Sequence, residues 1–592
     1  MIKVKKLKPY ESITELMPGQ AYLAKKEGNM ISLNKNIRVR LSENQQIDEE
    51  NFPVKITKIV PPDIVEGKIV TGDYEIEDTG KSINQFTMQD IGKKETLYTK
   101  VTEITQTSGP TLFSLFDGTG TITAKSFAGP GARAFPEIEK SDAIKANVML
   151  KEREGNIEAE LLSYSKLVDK HKDCLLRKID RKVTEAAKPA SVEFLSQNPV
   201  LEKLKPYFMS VATEIKKAIV ESRPIILRHH ADCDGYTGAV ALERAILPLI
   251  MEHHNDEKAR WRYYKRAPCK APFYEYTDAT KDLAFAVEDM EKFGQKEPLI
   301  LLVDNGSTDE DILGIRKVKI YNARVVVVDH HNPGQVTDGR VAVDNYVDAH
   351  VNPHLVGGNS YLTAGMLSVE LARFLNNKVE NIGFLAALAG FGDKVPLEEF
   401  SDYLKIAQNS GLSQDFMIKL AEVIDFEAHY IRFIESRGIV DDLLGNNLEK
   451  QQQLVGLLYE DIQKKRQQQL KTVIHYSNLE NNGRFHIATV DIAKVTHRGD
   501  YPASGKSLGL LHDYLKQKHG EVITLGYGPD FITMRITENV SFDVNQVINS
   551  IKQSLPHAFA DGGGHEHAGT VRFVEAAREE IIDFIKNYIK EI

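Results

Sequence analysis

Four short runs carry aspartate and histidine at a density that ordinary turns do not need. HADCDG holds His230, Asp232 and Asp234; VDNGS holds Asp304; VDHH holds Asp329, His330 and His331; GFGDKVP holds Asp393. Carboxylate and imidazole together suit a divalent cation, manganese first, with magnesium or cobalt as substitutes. Two such ions about 4 Å apart can grip both sides of an in-line phosphoryl displacement and lower the pKa of the attacking water. Any one run alone is consistent with a turn or a helix cap. Four in order, each behind a buried strand or a compact apolar segment, are harder to explain that way. Burying so many carboxylates without a cation costs roughly several kcal/mol per unpaired charge.

The segments ahead of these runs indicate what positions them. PIILRHH (224–230), PLILLVD (298–304) and RVVVVD (324–329) are nearly unbroken apolar runs, as a buried parallel sheet requires. A helix is expected to start near Tyr236, and the Asp393 run follows the small apolar stretch FLAALAGF (384–391). Strands alternating with helices predict a doubly wound α/β domain, whose ligands lie beyond the carboxyl ends of the strands. Upstream, Leu204, Phe208, Val211, Ile215 and Ile219 form one helical stripe.

Near the C-terminus, GGGHEHAG (562–569) offers a different chemistry. Its glycines let a backbone approach an anion closely. His565 would add a donor, and Arg535 in TMRI could grip a phosphate bidentately. From the residues alone, a plain glycine-rich turn before a strand is the alternative. The run RWRYYKR (260–266) interleaves aromatic and basic residues. It suits either stacking and phosphate contact along a single strand or a sheet-edge strand with its aromatics in the core.

The rest of the chain reads as an α/β multidomain protein with N-terminal β-barrel modules, a doubly wound parallel-sheet domain, a helical linker and a smaller C-terminal α/β domain. Residues 1–90 contain short β-prone runs such as 37–41 and 54–59, giving a small β-rich domain. Residues 95–165 contain five such runs with a DGTG turn at 117–120 and resemble an OB-fold barrel, a fold often used on single strands. Phe113, Phe116, Phe127 and Lys125 are its candidate contacts, and strand alternation leaves one or two of those aromatics on a binding face. Residues 166–222 form a helical connector, 223–401 the central domain, 402–480 a polar helical linker and 481–592 the C-terminal domain. The run from Gln451 to Gln469 reads as a solvated helix.

Bulk properties narrow the partners. A chain of 592 residues exceeds one hydrophobic core. Its net charge of −9, from 75 basic against 84 acidic residues, gives no overall pull toward polyanions, so nucleic-acid contact must come from local patches. Cys174, Cys233 and Cys269 show no CxxC spacing, which argues against a disulfide framework or thiolate zinc site and fits a reducing cytoplasm. MIKVKKLKPYES lacks the apolar core of a signal peptide, and no stretch nears the ~18 apolar residues of a membrane span. A cytoplasmic protein without membrane contact is expected.

The four runs, together with Asn352-Pro353 in VNPH and the C-terminal GGGHEHAG, resemble the motifs of the DHH superfamily and its DHH-associated domain over about residues 223–592. The likeness is strongest to archaeal RecJ-like exonucleases, which can also carry N-terminal β-barrels. That resemblance implies His230, Asp232 and Asp304 as ligands of one manganese ion. Asp234, Asp304, His330 and Asp393 would hold the second, with Asp304 bridging. His331 would face the scissile phosphate, making Asp304, His330 and His331 the catalytic centre. Arg535, Gly563, Gly564, His565, His567 and Asn352 would contact substrate. His230 stands where bacterial RecJ has aspartate, a change that bears on metal preference, and His229 is expected only to pack. The implied activity is release of nucleoside 5′-monophosphates from single-stranded DNA or RNA, 5′→3′ as in RecJ, in DNA repair or RNA processing. GINS-type replication factors or an RNA-processing complex are the implied partners. A diesterase for short oligonucleotides or cyclic dinucleotides is disfavoured by the long N-terminal extension, and a silent replication scaffold by the intact ligand set.

Overall fold

The computed structural model describes residues 2–7, 12–28, 30–42, 51–70, 74–77, 81–153, 155–254, 256–269, 271–431, 440–445, 447–481, 483–497 and 499–591. The chain divides into two compact units, residues 1–182 and 183–592.

In the first unit, Ala21–Glu27, Met30–Asn34, Ile37–Leu41, Ile64–Ile69 and Asn51–Val60 follow one another around a ring. Pairing of the first two closes it, and Ile2–Lys5 and Tyr74–Glu77 extend it. Strict alternation makes this possible: Ile37 and Val39 turn inward while Arg38 and Arg40 face out. A second closed barrel comes next, with Lys94–Gln106, Thr111–Phe116, Thr121–Ser126, Asn156–Lys166 and Ala143–Arg153 in order around it. Thr121–Ser126 runs parallel to Asn156–Lys166, and the other neighbours are antiparallel. Phe113 fills this barrel with Leu115, Ile122 and Val148. Phe113 is therefore a core residue rather than a base contact, Phe116 is buried on the strand's other face outside that core, Phe127 is 63% exposed, and Lys125 is ion-paired to Glu158.

In the second unit, the helix Pro199–Val220 buries the expected stripe. Asn198 caps it by accepting the Val200 N–H at 2.9 Å. The helix packs on a five-stranded parallel sheet ordered Tyr264–Cys269, Ile225–His230, Leu299–Val303, Arg324–Val328, Ala349–Val351. Leu299, Leu301 and Val303 join the core that holds the helices Pro199–Val220, Cys233–His254 and Ala364–Leu375. Ile300 and Leu302 join the opposite core, with the helices Tyr276–Phe293 and Ile312–Ile320. With both faces covered, a strand keeps no polar face, hence the unbroken apolar runs.

Register then does the positioning. His229 lies opposite Val303, Val303 opposite Val328, and Val328 opposite Val351. The next residues, His230, Asp304, Asp329 and Asn352, therefore leave the sheet at one level of its carboxyl edge. The helix after the first strand starts at Cys233, three residues before the expected Tyr236. Asp232 explains the earlier start, accepting the Gly235 N–H on its side chain and the Tyr236 N–H on its carbonyl, each at 3.0 Å.

The aromatic and basic run splits between its two alternatives. Trp261 is 69% exposed on the short helix Ala259–Arg262, whereas Tyr264 and Arg266 are buried on the edge strand. FLAALAGF forms the helix Gly383–Gly392, and Gln451–Gln469 lies within the long helix Leu448–Tyr476. The C-terminal sheet has the order Asn478–Asn481, His486–Asp491, Val522–Tyr527, Phe531–Ile536, Ala568–Arg572, Asp561–His565. Among the described residues no helix is long and apolar enough to cross a membrane.

Phe208 lies flat against Phe374, ring centroids 5.7 Å apart, both fully buried between helix and helix. Phe208→Ala is expected to destabilise the second unit by about 3–5 kcal/mol in urea unfolding. A loss under about 1 kcal/mol would show that the site collapses around the missing ring.

Candidate active site

Asp304 is the centre of the carboxyl edge. It leaves the middle strand in a left-handed backbone conformation, with φ 59°. Its carboxylate is buried and neither oxygen has a hydrogen-bond partner. Imidazoles stand round it instead: His330 Nε2 is 3.3 Å and His331 Nδ1 3.7 Å from Oδ1, and His230 Nδ1 is 3.5 Å from Oδ2. His230 also meets Asp232 at 2.6 Å, and His330 Nε2 lies 3.4 Å from Asp393 and 3.7 Å from Asp234. Three overlapping groups result, each with its ligand atoms within 4.8 Å of one another: His230, Asp232 and Asp304; Asp304, His330 and His331; Asp234, His330 and Asp393.

Each of these side chains is aimed by a neighbour. Asp234 accepts the Ala364 and Gly365 N–H groups, both at 2.9 Å, at the start of the helix Ala364–Leu375. His330 Nδ1 lies 2.8 Å from the Ser360 carbonyl, so a proton there is donated to that oxygen and Nε2 faces the carboxylates. Asp329 accepts the N–H groups of His330 and His331 at 2.8 and 3.2 Å and holds His331 Nδ1 at 2.8 Å. Its other oxygen accepts the Ser307 N–H at 3.2 Å.

The charges are strongly mismatched. Burial, reinforced by the Asp304 charge, pushes Asp234 up to about 7, and burial beside Asp234 raises Asp393 well above the carboxylate range. Burial alone would lower His330, but Asp304, Asp393 and Asp234 outweigh it and hold the imidazole well above its usual value. Such a set of oxygen and nitrogen donors, with an orphaned buried carboxylate in the middle, fits divalent cations of the manganese and magnesium kind. His229 has no such role. It is buried against Tyr236, and burial, helped by Arg266, pulls it down to about 3.

A cleft of about 790 Å³ opens from this edge. His230, Asp232, Asp304, His330, His331 and Asp393 line it together with Arg535 and Gly562–Gly564 of the C-terminal lobe. Gly562 and Gly564 are needed for strand pairing: at φ 149° and 151°, a Cβ would strike the Thr570 and Ala568 carbonyl oxygens at 2.1 and 2.3 Å. The nearest atoms to a Cβ on Gly563, Asn545 Oδ1 and Glu310 Oε1, lie at 3.8 Å, so its backbone is open to the cleft. Arg535 donates to the Met534 carbonyl at 3.0 Å, and burial lowers its pKa despite Asp513.

Over this centre, residues 224–388 match the family model "DHH family, N-terminal domain". An uncharacterized protein of Methanocaldococcus jannaschii, MJ1198, is 43% identical, over 82% of this chain and 68% of its own length. The chain belongs to the DHH family. A solved DHH domain described as a member of the s1p family of ribosomal proteins, PF0399, is 41% identical, with a TM-score of 0.68 over 71% of this chain and 99% of its own. The manganese complex of RecJ from Thermus thermophilus is 17% identical, with a TM-score of 0.44 over 70% of this chain and 59% of that one, too loose a likeness to transfer residue roles. Membership in the DHH family places the chain among phosphoesterases.

Two expected substrate contacts are placed elsewhere. Asn352 is fully buried, donating to Ser307 Oγ at 3.0 Å and to the His331 carbonyl at 2.9 Å; it braces the His331 turn. His567 does not line the cleft, and the side chain of His565 lies outside the described residues. Asp329 and Lys506 were not foreseen in these roles. Asp329 could have been suspected as the immediate neighbour of two histidines in its own run. Lys506 had no local signal: it reaches from the C-terminal lobe to Asp425, 81 residues away in sequence, whose other oxygen accepts the Cys233 N–H at 2.9 Å.

Asp329→Ala removes the acceptor of three backbone N–H groups and one imidazole. A stability loss of about 3 kcal/mol or more is expected in urea unfolding. A variant as stable as the parent would mean that this carboxylate does not fix the turn.

Proposed function

We propose that this DHH protein is a manganese-dependent exonuclease that hydrolyses single-stranded DNA or RNA to nucleoside 5′-monophosphates. The supporting observation is that one cleft joins the Asp304 cluster to Arg535 and the glycine strand, so a single nucleotide can meet both. His230, Asp232 and Asp304 would hold one ion, and Asp234, Asp304, His330 and Asp393 the other. Bound there, the ions supply an activated water and neutralise charge that develops on the phosphate.

The chain's own groups supply position. Asp234 and His330 are held by the helix start and by Ser360, which keeps their donor atoms converging. His331, aimed by the Asp329 carboxylate at its Nδ1, would face the scissile phosphate and help stabilise its charge or the leaving oxygen. Arg535 and the open backbone at Gly563 receive the phosphate next to the bond that breaks.

The N-terminal barrels favour long substrates. In both, the third and fifth barrel strands pair in parallel, which supports reading the second as an OB-type barrel. Such barrels suit single strands, and Phe127 offers an exposed ring. The expected polarity is 5′→3′. The cytoplasm is the proposed compartment, consistent with three unpaired cysteines, and GINS-type factors or an RNA-processing complex are the proposed partners.

Digestion of end-labelled single-stranded DNA and RNA with manganese tests this. Mononucleotides released progressively from one end are expected. Inert long strands beside rapid dinucleotide cleavage would replace the exonuclease with a small-substrate diesterase, and no cleavage of either would leave a scaffold. Asp304→Ala should reduce hydrolysis to background and weaken manganese binding in calorimetry. Arg535→Ala should raise KM about ten-fold or more while manganese affinity holds; lost metal binding in that variant would misplace Arg535.

A further inference from the structure

The cleft has a third wall that phosphate chemistry does not use. Phe273, Tyr276 and Leu313 line it beside Glu310. A Cβ on Gly563 would stand 3.9 Å from Phe273 Cζ, so this wall faces the glycine strand directly. Tyr276 is 53% and Leu313 61% exposed. Single exposed apolar side chains are unremarkable on a surface, but two together on the wall of a phosphate-handling cleft mark a place for an apolar ligand group.

The wall is built rigidly. The Tyr274 N–H donates to Asp311 Oδ1 at 2.6 Å, and the Tyr274 hydroxyl donates to Asp282 at 2.9 Å. Gly314 lets the helix Ile312–Ile320 close on this segment, since a Cβ there would meet the Tyr274 carbonyl at 2.4 Å. That approach brings Leu313 to the same cleft wall as Tyr276, the first residue of the helix Tyr276–Phe293. Lys317 Nζ stands 3.6 Å from the centroid of the Tyr276 ring and fixes its orientation, while Thr280 Oγ1 accepts from the same ammonium.

We infer that this wall is a nucleobase platform, on which Tyr276 stacks the base of the nucleotide whose phosphate lies against Arg535 and Gly563. The inference rests on the phosphate-holding part of the function proposed above and defines its substrate class. The cleft takes nucleotides in preference to bare sugar phosphates or inorganic polyphosphate, and stacking accepts any base. Arg572, 3.9 Å from Glu275, and Lys552, 3.0 Å from Asp561, carry positive charge along the same rim, where a following phosphate would pass.

Calorimetry on the full-length, manganese-loaded protein tests the platform with adenosine 5′-monophosphate and ribose 5-phosphate, which differ only by the base and its glycosidic bond. The parent is expected to bind the nucleotide about ten-fold tighter or more. Tyr276→Ala should bring the two affinities close together, and Tyr276→Phe should restore the difference. Equal binding by the parent, or a preference retained in Tyr276→Ala, would overturn the platform. Dinucleotide hydrolysis, run in parallel, separates the two ideas: base preference without hydrolysis upholds the platform while removing the nuclease.

Discussion

The like-charge crowding at Asp304 sets the terms for the rest of the molecule. A buried carboxylate without a hydrogen bond is costly by itself, and Asp232, Asp234 and Asp393 crowd it with further carboxyl groups, of which burial and mutual repulsion push Asp234 and Asp393 toward the neutral form. Three histidines relieve part of this, which is why burial fails to keep His230 and His330 neutral. Such an edge does not assemble for stability's sake. Hydrophobic residues of similar volume would be as stable or more so, and the arrangement makes physical sense when it is ready to receive cations.

Holding repelling groups together requires a frame that cannot relax. The sheet provides it through register, since a slip of one residue would turn His230, Asp304 and Asp329 away from the edge. The start of the helix Ala364–Leu375 provides it through two N–H groups on Asp234, and Gly365 must stay small because a Cβ there would lie 2.8 Å from that carboxylate. Asp329 ties the turns after two strands together by serving both Ser307 and His331. Lys506 adds a tie from the C-terminal lobe, reaching Asp425, which in turn caps the Cys233 N–H beside Asp232.

The residues made legible those features that depend on one-dimensional pattern. Apolar runs ending in Asp or His identified the strands, and strand ends identified the converging groups, because in a parallel sheet those ends share one edge. The stripe from Leu204 to Ile219 identified its helix for the same reason. Contacts between distant segments left no such trace. Asn352 looked like a substrate contact because it is polar and sits in a motif, yet its amide is spent on Ser307 and the His331 carbonyl. Gly562 to Gly564 looked like one anion cradle, but two of the three glycines exist to let neighbouring strands approach. Phe113 looked like a base contact, and alternation turned it into the barrel core; Phe116, three residues on and so on the opposite face, is buried outside that core.

The two sides of the cleft are joined unequally. The metal-type cluster is fixed on the sheet by buried hydrogen bonds. Across the cleft, Lys552 meets Glu310 at 3.8 Å and Arg572 meets Glu275 at 3.9 Å, and Lys394 meets Asp513 at 3.0 Å. Arg572 and Lys394 are 71% and 75% exposed in these pairs, so each contributes about 0–1 kcal/mol and is screened by salt. Loosening the rim therefore costs little, whereas disturbing the cluster costs much. A phosphate entering the cleft can draw Lys552 and Arg572 away from their carboxylates without moving Asp304.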